Sequence, residues 1–330
     1  MALFACAARM IAGARCRVGR RSPLWHQCGF RRCSSTMLVN GLPGPATVSV
    51  HDLTFIRGDG AFEVVSLLAH PENSSIGVPV ALKLHLDRLK STCDSLRLPM
   101  EHNLSVITEW LHNVGKSHGP GSCRIILTRG QESKGVAPKC IMLHDPPAKY
   151  APALKLRSMP APWHIGFALP VSTSPRAYSE CVGTGAWHTI KWMSYAPNCL
   201  VTRLAQEEGA DDALLLAADG RVLDGPNFAA GFVIDGKIRL VAADANHMLP
   251  SCTQAMAVTA AKAAGLPVQE DAVHIDEACT ASAAFIMSAT RHVMPVQAVD
   301  GKLLEVDHPL LADLRHVYWE HVKAEARGAA

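Results

Sequence analysis

Five prolines, Pro146, Pro147, Pro152, Pro160 and Pro162, fall within residues 145–162. Proline has no amide donor and a fixed φ, so this density excludes a continuous helix and argues against a central strand. The chain therefore reads as two folding blocks, residues 37–150 and 163–330, with 151–162 as the linker between them. At roughly 100–200 residues per domain, two blocks suit the length. Hydrophobic residues make up 48% and charged residues 18%, enough apolar material for a core in each block and too much for a disordered chain.

The first 36 residues are different in kind. They hold seven arginines (9, 15, 17, 20, 21, 31 and 32), no lysine and no acid, and the first acidic residue is Asp52. Arginines interrupt the apolar run that a secretory signal needs, so residues 1–36 read as a disordered mitochondrial or plastid transit peptide, the arginine content favouring the mitochondrion. Without those seven charges the net charge falls from +3 to −4 (+3 less 7). A mildly acidic body with 5% aromatic residues gives no reason to expect a nucleic-acid partner. No apolar run is long enough for a membrane span. Four of the 11 cysteines lie in this leader, and the other seven (93, 123, 140, 181, 199, 252 and 279) show no CxxC spacing. They read as buried reduced thiols. No metal-ligand cluster is expected, since the 16 histidines are scattered and HExxH is absent.

Alternation and period place the elements. Strands are predicted at Thr47–His51, Phe62–Leu68, Ser122–Thr128 and Cys140–His144, and helices at Pro79–Leu96 and Asn103–Val114. In the second block strands are predicted at Trp163–Leu169, Thr189–Trp192, Asp212–Leu216, Gly231–Ile234, Ile238–Val241, Val273–Ile275 and Ala284–Ser288. Helices are predicted at Asn198–Glu208, Cys252–Ala264, Asp276–Thr280 and Pro309–Ala324. Asp219-Gly220 and Asp235-Gly236 are hairpin signals. The class is α+β.

Seven segments carry a resemblance when taken in order. They are Arg57-Gly58-Asp59-Gly60-Ala61-Phe62-Glu63, His85-Leu86-Asp87-Arg88-Leu89, Ile190-Lys191-Trp192-Met193-Ser194-Tyr195, Ala210-Asp211-Asp212-Ala213-Leu214-Leu215-Leu216, Val222-Leu223-Asp224-Gly225-Pro226-Asn227, Leu249-Pro250-Ser251-Cys252-Thr253, and Ala284-Phe285-Ile286-Met287-Ser288-Ala289-Thr290 with Met294-Pro295-Val296. Each is weak alone. Together, from about residue 39 to 325, they resemble the class IV (fold-type IV) pyridoxal-phosphate-dependent aminotransferases. The resemblance implies a two-domain α+β fold with mixed sheets and packed helices, pyridoxal 5'-phosphate as cofactor, amino acids and 2-oxo acids as substrates, and a homodimer.

The same resemblance implies roles, and the chemistry of each side chain agrees. Lys191 matches the Schiff-base lysine, whose amine must be desolvated to attack a carbonyl. Arg88 matches the phosphate arginine, and no acid stands three or four residues away to occupy it along its own helix. Cys252 offers a main-chain N–H where the family usually has Ile. Thr253 offers a hydroxyl at a helix start, and Thr290 matches the second phosphate segment. Asp224 stands where the family has Glu, and a carboxylate there keeps the pyridine nitrogen protonated. Its reading as an ordinary turn aspartate before Gly225 stays open. Substrate contacts are expected from Phe62, Arg129, Lys134 and Arg291, the last with His292 as either pocket or turn residues.

Three activities share such a scaffold. The Asp224-Gly225-Pro226-Asn227 turn is most similar to plant-type D-amino-acid aminotransferase-like proteins, so a D-amino-acid transaminase is the first expectation. A 4-amino-4-deoxychorismate lyase is second and a branched-chain aminotransferase third. A non-catalytic cofactor-binding homologue is the remaining alternative.

Overall fold

A computed structural model describes residues 37–45, 47–161, 190–243 and 248–328. The leader 1–36, the strand expected at 163–169 and Cys181 lie outside these residues.

The first sheet is antiparallel throughout. Its strands are β1 (Met37–Val39), β2 (Leu42–Pro43), β3 (Gly60–Ala69), β4 (Gly77–Pro79), β5 (Gly121–Thr128) and β6 (Cys140–Asp145), in the order β2-β1-β6-β5-β3-β4. β3 and β5 run opposed from Gly60↔Thr128 to Leu67↔Gly121. Two helices, α2 (Leu82–Leu96) and α3 (Leu104–His118), cover it. Leu86, Leu89 and Cys93 of α2 and Ile107 and Leu111 of α3 enter one core with Val65 and Ile125 of the sheet. Asn103 caps α3, its side chain accepting from the Val106 N–H. A short helix, α1 (Leu53–Arg57), precedes β3 and ends at Gly58, whose φ of 69° is the left-handed value glycine tolerates. α1 stands just after the strand expected at Thr47–His51, where the chain is irregular.

The second sheet corrects the expected linker. Residues 154–160 form β7 (Leu154–Pro160), which pairs in parallel with β8 (Asp212–Leu216) on one side and with β13 (His292–Val299) on the other. Proline is accommodated because Pro152 lies before the strand and Pro160 is its last residue, where Ala161 N–H takes over and donates to the Leu216 carbonyl at 3.0 Å. Leu154, Leu156 and Met159 are buried, and pairing on both edges makes this a central strand. The remaining strands are β9 (Ala229–Ile234), β10 (Lys237–Val241), β11 (Val268–Asp271), β12 (Ala283–Ser288) and β14 (Lys302–Leu303), with path order β11-β10-β9-β12-β13-β7-β8 and β14 on β13. β11 lies a few residues before the strand expected at Val273–Ile275. The strand expected at Thr189–Trp192 is, within the described residues, one isolated bridge between Trp192 and Ala61.

Four helices accompany this sheet: α4 (Ala196–Glu207), α5 (Cys252–Ala263), α6 (Ile275–Thr280) and α7 (Pro309–Gly328). Met256 and Ala257 of α5 and Leu311, Leu314 and Tyr318 of α7 pack with Phe285 of the sheet in one core. Val201 and Ala205 of α4 pack with Leu156 and Leu214 in another. Among the described residues no helix is long and apolar enough to cross a membrane. Six described cysteines are free, four of them buried, but Cys199 is exposed and Cys279 only half-buried.

His292 ties the layers together and is no anion contact. Its Nδ1 lies 2.9 Å from the Tyr318 hydroxyl on α7, and its Nε2 3.4 Å from Ser66 Oγ on β3. Burial lowers its pKa to about 4. A histidine held neutral in the fold and free to charge when unfolded contributes stability that is present above the unfolded pKa of about 6.5 and is lost as pH falls toward 4. Urea unfolding between those values should therefore show stability declining with acid, and His292→Gln should flatten that decline. An unchanged slope in the variant removes His292 as its source.

Candidate active site

The site lies where β3 meets the segment that carries Lys191. The Phe62 N–H donates to the Lys191 carbonyl at 3.0 Å, and the Met193 N–H donates to the Gly60 carbonyl at 2.9 Å. From the other side the Lys191 N–H donates to Thr92 Oγ1, on α2, at 3.1 Å. The lysine backbone is thus fixed to a strand and a helix of the first block. Gly58 permits the approach, because a Cβ there would stand 2.3 Å from Ser194 Oγ.

The amine sits against two aromatic rings. Lys191 Nζ is 4.5 Å from the centre of the Phe62 ring and 5.6 Å from that of Tyr195. The rings meet edge to face at 5.1 Å. Burial first, and the nearby Arg88 charge second, lower the Lys191 pKa from 10.5 to about 8. On the order of a tenth of the amine is then neutral at pH 7, against far less than a hundredth for a free lysine.

Asp224 lies within electrostatic reach of this amine. The turn that holds it is pinned to β8, the Leu215 N–H donating to the Asp224 carbonyl and the Leu223 N–H to the Leu215 carbonyl, both at 2.8 Å. Asn198 Nδ2 of α4 donates to the Pro226 carbonyl at 2.9 Å. Gly225 is required because a Cβ there would overlap the Phe228 ring, 2.0 Å away. Burial raises the Asp224 pKa to about 7, against the lowering effects of its own backbone hydrogen bond and of Lys191. Among the described residues Asp224 has no ion pair, so it is a half-buried carboxylate open to a cation. Burial, and then the Asp224 charge, also raise the pKa of the Tyr195 phenol.

Arg88 has a partner that its own helix could not supply. Its Nε donates to Glu63 Oε1 at 2.7 Å and its Nη2 to Glu63 Oε2 at 2.8 Å, a two-pronged pair with β3. Its Nη1 donates to the Pro250 carbonyl at 2.6 Å, which brings the guanidinium to the start of α5. The fork keeps one N–H on each Nη beyond these bonds. Glu63 is fully buried; burial pushes its pKa up, but Arg88 and His85 outweigh this and hold it at about 2. His85 Nδ1 lies 2.8 Å from Glu63 Oε2.

α5 begins beside this pair. Ser251 caps it by accepting from the Gln254 N–H, and the first turn holds no acid. The Cys252 and Thr253 amides are at positions where a helix supplies no acceptor. Thr290 lies in the turn between β12 and β13. A guanidinium with spare donors, a helix N-terminus and, within electrostatic reach of Lys191, a half-buried carboxylate without an ion pair among the described residues fit the phosphate and ring nitrogen of pyridoxal 5'-phosphate.

The expected substrate contacts separate. Phe62 lines the lysine. Arg129 is engaged instead by Asp59 at 2.5 Å and by the Leu96 and Arg97 carbonyls at the end of α2. Arg291 bonds Asp212 and Asn227 and lies over the Phe228 ring, so it braces the Asp224 turn. Lys134 is exposed on a 3-10 turn. Glu63, His85 and Tyr195 were visible only as members of quoted segments; their roles depend on contacts between β3, α2 and the lysine segment.

The sequence matches the family described as "Amino-transferase class IV" over residues 60–299. It is 26% identical over 273 residues (78% of this chain, 85% of the other) to a putative branched-chain-amino-acid aminotransferase of Methanocaldococcus jannaschii. It is 25% identical over 289 residues (79% and 89%) to a bifunctional aminodeoxychorismate lyase / D-amino acid transaminase of Mycobacterium tuberculosis. It is 26% identical over 231 residues (68% and 57%) to a chloroplastic D-amino-acid transaminase of Arabidopsis thaliana. A fold IV-transaminase from Curtobacterium pusillum superposes with a TM-score of 0.72 at 26% identity, covering 88% of this chain and 99% of that one. Matched over most of its length in sequence and fold, this chain belongs to the class IV aminotransferases, enzymes that use pyridoxal 5'-phosphate.

Proposed function

We propose that the chain is a transaminase of the D-amino-acid type that moves an amino group to a 2-oxo acid. The observation that carries the reading is the Lys191 amine, placed between Phe62 and Tyr195 with Asp224 and Arg88 in electrostatic reach. The D-amino-acid preference rests on the Asp224–Asn227 turn and on the relatives of that name.

Bound pyridoxal 5'-phosphate supplies an electron-withdrawing ring that makes the Cα–H of an amino acid acidic. Arg88, the Cys252 and Thr253 amides and Thr290 would hold its phosphate. Asp224 would keep a proton on the ring nitrogen, since a desolvated carboxylate gains from a neighbouring cation. Lys191 Nζ, with its lowered pKa, is the base that would accept a proton from an amino-acid Cα. Phe62 and Tyr195 exclude water from the amine and fix its direction. Arg129, Lys134 and Arg291 have no part in this reading. The lyase reading has one observation of its own, the bifunctional relative. Assays with D-alanine and a 2-oxo acid, and with aminodeoxychorismate, separate the two. Pyruvate and p-aminobenzoate from the latter, with no amino transfer, would replace the proposal by the lyase.

Three variants test the residues. Borohydride reduction should leave a cofactor-derived mass on Lys191, and Lys191→Ala should lose it together with activity; the same mass on another lysine would refute the assignment. Losing a charge-assisted contact of about 1.5–3 kcal/mol should weaken cofactor binding roughly 10- to 150-fold in the Arg88→Ala/Glu63→Gln double variant, which leaves no charge stranded in the core. Unchanged affinity would take Arg88 out of the site. Asp224→Asn should lower kcat far more than Tm, and Asp224→Glu should retain activity. A silent Asp224→Asn would restore the turn reading and favour a non-catalytic homologue.

A further inference from the structure

A lysine amine is aimed by its backbone, and each residue of the backbone has two soft dihedrals. At Lys191 both flanking peptide groups are held. The Phe62 N–H of β3 donates to the Lys191 carbonyl at 3.0 Å, and the Thr92 hydroxyl of α2 accepts from the Lys191 N–H at 3.1 Å. Either bond alone leaves one dihedral free to turn. Together they fix φ and ψ, and so the direction of the Cα–Cβ bond. Thr92 has none of its surface exposed, so bulk water cannot take its place at the amide.

This use of the hydroxyl is particular to Thr92. Thr108, Thr259 and Thr280 also lie in helices, and each donates its hydroxyl to the carbonyl four residues earlier, at 2.8, 2.9 and 2.9 Å. Among the described residues Thr92 makes no such bond and holds the lysine instead. It also stands four residues after Arg88, one turn along the same face of α2 and about 6 Å along its axis. One rigid helix thus carries the guanidinium of the phosphate cradle and the anchor of the lysine at a fixed spacing.

We propose that Thr92 is a positioning residue for Lys191: it sets the amine relative to the phosphate cradle, so that a cofactor held by its phosphate presents its aldehyde to the amine. The step it serves is condensation of the amine with the aldehyde carbon, which forms one C=N bond and releases one water. With valine at position 92 the side chain keeps its branching, but the Lys191 N–H has no acceptor. The lysine must then be ordered as the bond forms, and ordering the backbone of one residue lowers an equilibrium constant about tenfold.

This inference rests on Lys191 being the residue that takes the cofactor, and the experiment separates the two. Pyridoxal 5'-phosphate can condense with the amine. Pyridoxamine 5'-phosphate, itself an amine, cannot, so its affinity reports the cradle without the lysine. Dissociation constants for both are measured on the full-length chain freed of cofactor, unmutated and as Thr92→Val and Thr92→Ser. Thr92→Val should bind pyridoxal 5'-phosphate about tenfold more weakly and pyridoxamine 5'-phosphate equally well. Thr92→Ser, which keeps the hydroxyl, should restore the first affinity. A role confined to packing α2 would disturb Arg88 one turn away and weaken both ligands together. That result, no weakening of either, or no rescue by serine overturns the proposal. Amide exchange in the unmutated chain needs no variant to fold. The Lys191 N–H should exchange at least about tenfold more slowly than an unstructured amide, and exchange at the unstructured rate also overturns the proposal. Failure of pyridoxal 5'-phosphate to bind the unmutated chain, or to leave a borohydride-fixed mass on Lys191, overturns the reading of the site and this inference with it.

Discussion

The ion pair between Arg88 and Glu63 is the contact on which the rest of the site depends. Glu63 is on the central part of the first sheet with none of its surface exposed, and Arg88 is on the helix packed over it. Removing one partner of such a buried pair costs about 3–5 kcal/mol, because the other charge is left without compensation. Its value here is directional. The same guanidinium donates to the Pro250 carbonyl, so β3, α2 and the entry to α5 meet at one group. The N-terminal end of α5 belongs to the second sheet's layer, and the pair sets where it stands relative to the first.

The lysine depends on the same strand. β3 gives its Phe62 amide to the Lys191 carbonyl and its Phe62 ring to the Lys191 amine. The end of β3 that does this is freed for the purpose, since β4 pairs only with Leu67–Ala69. Asp224 acts on the amine from a turn held by β8, Asn198 and the Phe228 ring over Gly225. Lys191 and Asp224 thus come within electrostatic reach of one another. Loss of water around each moves the Lys191 pKa down to about 8 and the Asp224 pKa up to about 7.

Much of this was legible locally. The Leu86, Leu89 and Cys93 face of α2, the Asn103 cap of α3 and the glycine turns at Gly220 and Gly236 are readable from spacing and residue type. The two sheets and their packed helices agree with the α+β class that the ordered segments implied. β7 was not legible, because Pro152 and Pro160 flank a strand whose buried Leu154, Leu156 and Met159 are too few to announce it. Pairing decides the matter: five residues of β7 pair with β8, each with a partner more than 50 residues away in sequence. Arg129 and Arg291 misled for a related reason. Each looks like an available cation in the sequence, and each is neutralised by an acid brought to it from elsewhere, Asp59 and Asp212.

By itself the sequence determined which chemistry is present: a lysine, an arginine, a carboxylate and a helix start, in an order that specifies a family. Side-chain identity and local period fix those, since they depend on residues within a turn or two. Which charge meets which was decided only by tertiary structure. The free Arg88 of the sequence became the partner of Glu63, and the turn residue Asp224 became a half-buried acid within electrostatic reach of Lys191. Electrostatic interactions act across space rather than along the chain, and their strength depends on the water that packing removes. No local pattern in the sequence carries that information.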